Sequence, residues 1–327
     1  MVALGSCSTN SNESRGESKA GIMVTDFGGR QLNFDKPAER IVCLIESALS
    51  GFFMLGAEGS IVGVSSNVYD DNIFQYYAGL DDRIKNKTLP APGNWDFVSI
   101  ENVVSLRPDL VIIWASQTES IKSIELKGIP VYAVMLKSTD DIYKEISDFG
   151  MLTGREPRAD SLIRYTKAEL RKIIDLQDSS LAKKQKVYFM WAQGPLETSG
   201  TNSTVNELIN FAGAANACNF PDEHLIVNFE RVIDWNPDVI VMWYDANKNP
   251  EDVKNFPGWS NLKAVKENSV YEFPSVFLAD LWTLKFQYAV KLLAKWAYPE
   301  VFLNVDLVKE RELMLQNLYG KTEGSKQ

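Results

Sequence analysis

Residues 99–113 read SIENVVSLRPDLVII, and residues 228–241 read NFERVIDWNPDVIV. Laid over each other, Glu101 falls on Glu230, Pro108 on Pro237 and Asp109 on Asp238, a constant offset of 230 − 101 = 129. Each copy starts with a small polar residue suited to an N-cap and has a glutamate in the first turn, where the helix dipole favours an anion. Apolar positions follow, and a proline stops the helix. The run after Pro-Asp is continuously apolar, as in a parallel strand covered on both faces. One helix-then-strand element used twice predicts two similar α/β halves. A generic helix, turn and strand would not require a glutamate in the same turn of both copies.

The remaining chain fits that division. Residues 22–34 read as a hairpin turning at Gly28-Gly29. RIVCLI (40–45) and Ile61 to Val64 read as buried strands, and Leu49 to Leu55 as a short helix. Residues 66–95 are polar and aromatic and read as an irregular surface segment. A helix is expected over 118–126 and a strand over 131–136. Residues 156–178 carry Leu162, Ile163, Thr166, Leu170, Ile173 and Ile174 on one helical stripe, with Pro157 in the first turn. The pattern then restarts: strand 187–191, helix 203–212, the second copy of the unit, strand 239–244, a helix near 250–255, strand 269–274 and a closing helix over 280–297. The expected division is a tether over 1–21, a lobe over 22–155, a bridging helix over 156–180 and a second lobe over 181–327. The fold class is α/β: two Rossmann-like lobes bridged by a single long helix, with a ligand cleft between them.

The chain has 327 residues, 34 Lys and Arg against 43 Asp and Glu, and a net charge of −9. That balance disfavours nucleic acid, whose phosphates need clustered cations. No run of 18 apolar residues is present to span a membrane. At the N-terminus, Leu4-Gly5-Ser6-Cys7 followed by a Ser/Asn/Glu/Gly stretch resembles the end of a bacterial lipoprotein signal, with Cys7 as the lipidation site and a flexible tether after it. Cys43 and Cys218 lie in apolar surroundings and read as small core residues.

Catalytic signatures are missing. The only histidine is His224, and no nucleophile elbow, phosphate loop or dinucleotide motif appears. Aromatic residues instead gather where strands end: Trp95 ahead of the first repeated helix, then Trp114, Trp191, Trp243 and Tyr244. In open α/β sheets ligands sit outside the carboxyl ends of the strands. Two such lobes facing each other predict a cleft lined by Trp95, Trp114, Trp191, Tyr244 and Phe277.

At this point the order of motifs resembles a family. Hairpin, RIVCL, LGAEGSIVGVSS, the first Glu-Pro-Asp unit, a long linking helix, TSGTNSTVNELINFAGAANAC, the second unit and FPGWSNLKAVKENSVYEFP are similar to the substrate-binding proteins of type II ABC importers, which carry cobalamin, haem and ferric siderophores. The resemblance covers about residues 24–300 and includes YPE at 298–300. It implies an extracytoplasmic, lipid-anchored monomer without cofactor or catalysis, which delivers a small-molecule metal complex or an oxyanion to an ABC permease dimer. It implies that Glu101 and Glu230, one per lobe, dock into arginine pockets of that permease. Trp95 and His224, six residues before each glutamate, fall where cobalamin binders place tryptophans; His224 could ligate the metal of a bound chelate. Asn67 and Glu197 stand where that pattern has aromatics, and Arg231 is the nearest cation to the cleft. An iron complex (siderophore or haem) is the expected ligand. Molybdate or tungstate held by backbone N–H groups near Thr201 to Ser203, and cobalamin, stay open. The rival from another class is an α/β enzyme using a cleft carboxylate such as Glu46 or Asp245.

Overall fold

The computed structural model describes residues 21–177, 183–245 and 247–320. Its first half runs β1 (Ile22–Thr25), β2 (Gln31–Phe34), β3 (Ile41–Cys43), α1 (Glu46–Leu55), β4 (Ile61–Val64), α2 (Asp71–Leu80), α3 (Asp82–Lys85), α4 (Ile100–Ser105), β5 (Leu110–Trp114), α5 (Thr118–Glu125), β6 (Val131–Val134) and α6 (Thr139–Thr153). The helix α7 (Glu156–Gln177) leads to the second half. There follow β7 (Lys186–Met190), β8 (Glu197–Thr198), α8 (Thr204–Phe211), β9 (Ala215–Asn216), β10 (Leu225–Ile226), α9 (Phe229–Trp235), β11 (Val239–Met242), α10 (Pro250–Lys254), α11 (Lys263–Lys266), β12 (Val270–Glu272), α12 (Phe286–Ala297) and α13 (Leu307–Tyr319).

Two four-stranded parallel sheets result, ordered β4-β3-β5-β6 and β12-β11-β7-β9. Read from the matching edge, the second is β9-β7-β11-β12, so the strand order repeats along with the sequence unit. In each lobe the repeated helix, α4 or α9, feeds the strand beside the central one. The strands that pair on both sides, β3, β5, β7 and β11, are almost wholly buried, as their unbroken apolar sequences require.

The repeated element is built alike in both lobes. Ser99 caps α4 by accepting the Asn102 amide, and Asn228 caps α9 by accepting the Arg231 amide. Both helices stop through a left-handed residue just before the proline, Arg107 at φ 47° and Asn236 at φ 42°. The next residue then locks the strand pair. The Asp109 carboxylate accepts the amides of Glu39 and Arg40 at 2.8 and 3.0 Å while its own N–H donates to the Arg40 carbonyl. Asp238 accepts the Lys186 amide at 2.7 Å and donates to the Lys186 carbonyl. Each aspartate pins the start of its strand to the central strand of its sheet.

The bridging α7 has 22 residues, about 33 Å at 1.5 Å per residue. Its apolar stripe packs against α6 on one lobe and α8 and α12 on the other. Gly150 and Ala159 let α6 and α7 approach closely; a Cβ on Gly150 would lie 2.7 Å from that of Ala159. A second link crosses between the lobes. α13 packs on α12, then on α1 and α7. Its Tyr319 hydroxyl meets Ser50 Oγ at 2.5 Å, and Arg158 of α7 donates to the carbonyls of Asn317 and Leu318.

The structure corrects several boundaries. The segment 66–95, expected to be irregular, contains α2 and α3, with Ile73, Tyr77 and Ile84 buried against the first lobe. The closing helix starts at Phe286, not at 280. The Asp280 carboxylate accepts the Trp282 amide and the Thr283 hydroxyl accepts the Lys285 amide. These local bonds compete with helix formation and turn the chain. Cys43 and Cys218 are free and buried, whereas Cys7 lies outside the described residues.

Candidate functional site

The carboxyl ends of the two parallel sheets face a cleft between the lobes, and two cavities lie in it. The first, about 270 Å³, is lined from the first lobe by Leu44 to Ser47, Ser65, Asn67, Trp95 and Trp114, and from the second by Trp243, Val276, Asp280 and Trp282. The other, about 220 Å³, holds Trp191, Ser199, Ser203, Glu223 and His224 among its walls and shares Trp282 with the first. Trp282 therefore borders both.

Sequence position explains how each wall residue is placed. Leu44 to Ser47 are the turn from β3 into α1, Trp114 ends β5, Trp191 follows β7 and Trp243 follows β11. Trp95 sits on a tight loop. The Asn94 side chain accepts the amides of Asp96 and Phe97, and Gln117 donates to the Asn94 carbonyl at 3.0 Å. Gly93 is required beneath that loop, since a Cβ there would stand 2.3 Å from the Phe97 carbonyl oxygen. Trp95 stays 65% exposed, a large apolar surface turned to solvent and the cavity mouth.

On the second lobe His224, Trp191 and Trp282 form a near-parallel stack. Ring centroids are 5.7 Å apart at 8° for the first pair and 6.0 Å apart at 10° for the second. The Trp191 indole donates to Ser199 at 3.0 Å, and His224 Nε2 meets Glu197 Oε2 at 2.7 Å. The Glu197 that stands in place of an aromatic therefore holds the histidine ring in the stack.

The floor of the first cavity is acidic. Asp280 is 3% exposed; its Oδ1 accepts the Trp282 amide, while its Oδ2 faces Lys285 Nζ at 3.8 Å. Glu46, partly buried at the start of α1, accepts the Tyr77 hydroxyl at 2.5 Å. Burial, reinforced by the Asp280 carboxylate, pushes the Glu46 carboxyl up to about 7 against the pull of Lys285 and the Tyr77 hydrogen bond. Burial also raises Asp280 and lowers the Lys285 ammonium. Lys285 is fully buried, donates to Ser50 at 3.0 Å and stands 3.6 Å from the centre of the Phe277 ring.

Of the residues expected at the site, Asn67, Trp95 and Trp114 meet at the first cavity and Trp191 and His224 at the second. Phe277 lies elsewhere: buried, it stacks on Tyr76 at 4.6 Å and contacts Tyr77 and Tyr319, plugging the seam between lobes. Tyr244 lines neither cavity. Arg231 belongs to a separate rim groove with Phe220, Leu225 and Ile226. Asp245 is a turn residue paired with Lys248 at 3.1 Å. Glu101 and Glu230 are both exposed on the first turns of α4 and α9. Trp243, noted in the sequence only as a strand-end aromatic, takes the place expected of Tyr244, and Asp280 and Trp282 are additions that pattern reading did not select; these two lie in the non-periodic segment before α12.

Two parallel α/β lobes, a single long helix between them and a tryptophan-walled cleft define a bilobal ligand-capture protein. The family model for periplasmic binding proteins matches residues 41–276, and the chain belongs to that family, as a substrate-binding protein of an ABC importer. It is 27% identical to the molybdate-binding protein MolA of Haemophilus influenzae, over 91% of this chain and 90% of the relative. The solved structure of MolA bound to molybdate superposes with a TM-score of 0.79 at 26% identity, covering 92% of this chain and 98% of that one. The chain is also 27% identical to the ABC transporter substrate-binding lipoprotein YvrC of Bacillus subtilis (86% and 87% covered) and 24% identical to the iron(3+)-hydroxamate-binding protein FhuD of the same organism (84% and 87% covered).

Proposed function

We propose that this chain captures an iron complex or related metal chelate of low negative charge, neutral or cationic, and delivers it unchanged to an ABC permease. One observation carries the choice of ligand. The two cleft cavities are walled by five tryptophans and include Glu46, Asp280 and Glu223, and among the described residues neither lining has a lysine or arginine. A strongly anionic chelate such as a ferric catecholate or citrate would want an arginine cluster there. Indole faces suit a flat or apolar chelate surface, and the FhuD relative is named for a ferric hydroxamate. A hydroxamate-type siderophore complex or a corrinoid fits this wall better than haem, whose propionates add negative charge.

Delivery rests on Glu101 and Glu230, exposed and equivalently placed, one per lobe, for a two-fold permease. The anchor rests on the Cys7 segment and on the lipoprotein name of the YvrC relative; together they favour an extracytoplasmic location.

The second reading is molybdate or tungstate. Its support is the MolA relative and the first turn of α1, which opens on the cavity with no side-chain cap at Ile45. Glu46 in that same turn opposes a dianion. Titration of the ligand-free protein with a neutral ferric trihydroxamate, cobalamin, haem, ferric citrate and molybdate, read by visible absorbance and melting temperature, separates the two. The expected result is stabilisation by the hydroxamate or cobalamin, about 2.7 kcal/mol at a hundredfold excess over Kd. Stabilisation by molybdate alone would overturn the chelate reading, and chemical turnover of any ligand would overturn the transport role.

A further inference from the structure

The duplicated unit reaches two residues further back than its helix caps. Residues 97–101 read FVSIE and residues 226–230 read IVNFE, in register at the same offset, 226 − 97 = 129. Most of these positions have a local explanation. Ser99 and Asn228 cap their helices. Val98 and Val227, just before the caps, pack into the same apolar clusters as Val103 and Val232 one turn on, the staple that fixes how a chain enters a helix. Ile100 and Phe229 pack against those clusters as well. The first position is different. Phe97 is 67% exposed and Ile226 is 74% exposed, and neither lines a cleft cavity. Both are nevertheless held firmly by backbone bonds. The Asn94 side chain accepts the Phe97 amide at 3.1 Å, and the Phe97 carbonyl accepts the Asn94 amide at 2.7 Å. Ile226 lies in β10, opposite Glu197 of β8, and the Val227 amide after it donates to the Leu196 carbonyl at 2.9 Å.

We propose that Phe97 and Ile226 are paired apolar anchors for the permease, each seated in an apolar recess beside the cation that receives the neighbouring glutamate. This inference rests on the docking reading of Glu101 and Glu230 above and names what accompanies the two carboxylates. Two equivalent knobs, one per lobe, suit a partner with two equivalent recesses. Each knob stands four residues from an exposed glutamate on a chain of net charge −9, so a second copy or an anionic lipid surface would bring like charge, and a cationic protein face is favoured. The pairing also has a physical purpose. An exposed ion pair is weak because water competes for it; an apolar side chain packed alongside excludes that water and strengthens the pair.

The test uses full-length protein and the permease complex whose ATPase the wild-type chain stimulates, held in lipid nanodiscs. The readout is the protein concentration that gives half-maximal stimulation. Phe97→Ser and Ile226→Ser are each expected to raise it about tenfold or more, with melting temperatures unchanged, while Phe97→Leu and Ile226→Leu keep the wild-type value. Leu126→Ser and Leu303→Ser, at positions 86% and 72% exposed outside the repeated unit, are expected to change nothing. A half-maximal concentration unaltered in the two serine variants of the unit, or raised equally by the leucine controls, overturns the anchors. If one of the two serine variants does not fold, the other decides. Binding to permease-free nanodiscs, or self-association in sedimentation, that is lost in the serine variants would assign the face to lipid or to a second copy and overturn the proposal. Glu101→Ala combined with Glu230→Ala separates the two readings. Loss of stimulation there with none in the serine variants overturns the anchors and leaves the glutamates in place. The opposite pattern supports the anchors and removes the glutamates, and no loss in either set overturns both.

Discussion

Glu46 illustrates how a single side chain in this cleft ties pH to stability. Its carboxyl is raised to about 7 in the folded protein, by burial and Asp280 in that order, whereas an unfolded glutamate ionises near pH 4.3. The folded state therefore holds the proton over a window in which the unfolded chain has lost it. Stability contributed by the neutral form is complete below about 4.3 and declines as pH rises through about 7. Glu46→Gln keeps the Tyr77 hydrogen bond without the charge. The melting temperature of this variant relative to wild type should rise between pH 5 and pH 7.5; a difference constant with pH would show that Glu46 is not buried as described. Single residues were legible in sequence where the repeat marked them. Trp95 could be found by counting back from Glu101. His224 could be found the same way, but its pairing with Glu197, 27 residues away, could not. Asp280 and Trp282 carry no periodic signal, because that segment follows local turn bonds and the seam between lobes.

Among the elements, the duplicated helix-turn-strand unit is the most fully legible from sequence, since its determinants are local: a cap, a left-handed stop, a proline and an aspartate that reaches the neighbouring strand. What the pattern did not reveal is the partner of that aspartate. Asp109 reads the amides of residues 39 and 40, and Asp238 reads that of Lys186 and also pairs with Lys263 at 2.8 Å. Removing either carboxylate leaves strand-end amides without acceptors, a loss of about 1–3 kcal/mol. Asp238→Ala should destabilise more than Asp109→Ala in urea unfolding, because Asp238 is 6% exposed and has the additional lysine. Equal effects would argue that the lysine pair adds nothing. The helix α2 escaped sequence reading for a related reason: its buried face is only Ile73 and Tyr77, too short a stripe among polar neighbours to register as a period.

On the scale of the whole molecule, the two lobes are held by α7 and by α13 crossing from α12 to α1. Two links favour modest movement between lobes over wide opening. The rigid separation of the lobes also fixes the spacing of Glu101 and Glu230. Exposed ion pairs contribute only about 0–1 kcal/mol each, so in the proposed docking the two glutamates would supply orientation on a two-fold partner. Glu101→Ala combined with Glu230→Ala should leave ligand Kd unchanged and abolish stimulation of the permease ATPase in reconstituted vesicles. Stimulation retained by the double variant would remove these residues from docking. The lobe count and the bridging helix were readable from the duplication and the long stripe; the crossing of α13 was not, because sequence order places it with the second lobe while its last turn belongs to the first.

That last turn has a consequence for biogenesis. Tyr319 closes a pocket around Ser50 that was specified 269 residues earlier. A chain emerging from the ribosome, or threading through an export channel, presents its first sheet long before the residue that completes the packing around it. Until then the packing around Ser50 is incomplete, and the early lobe exposes surface that the finished protein buries.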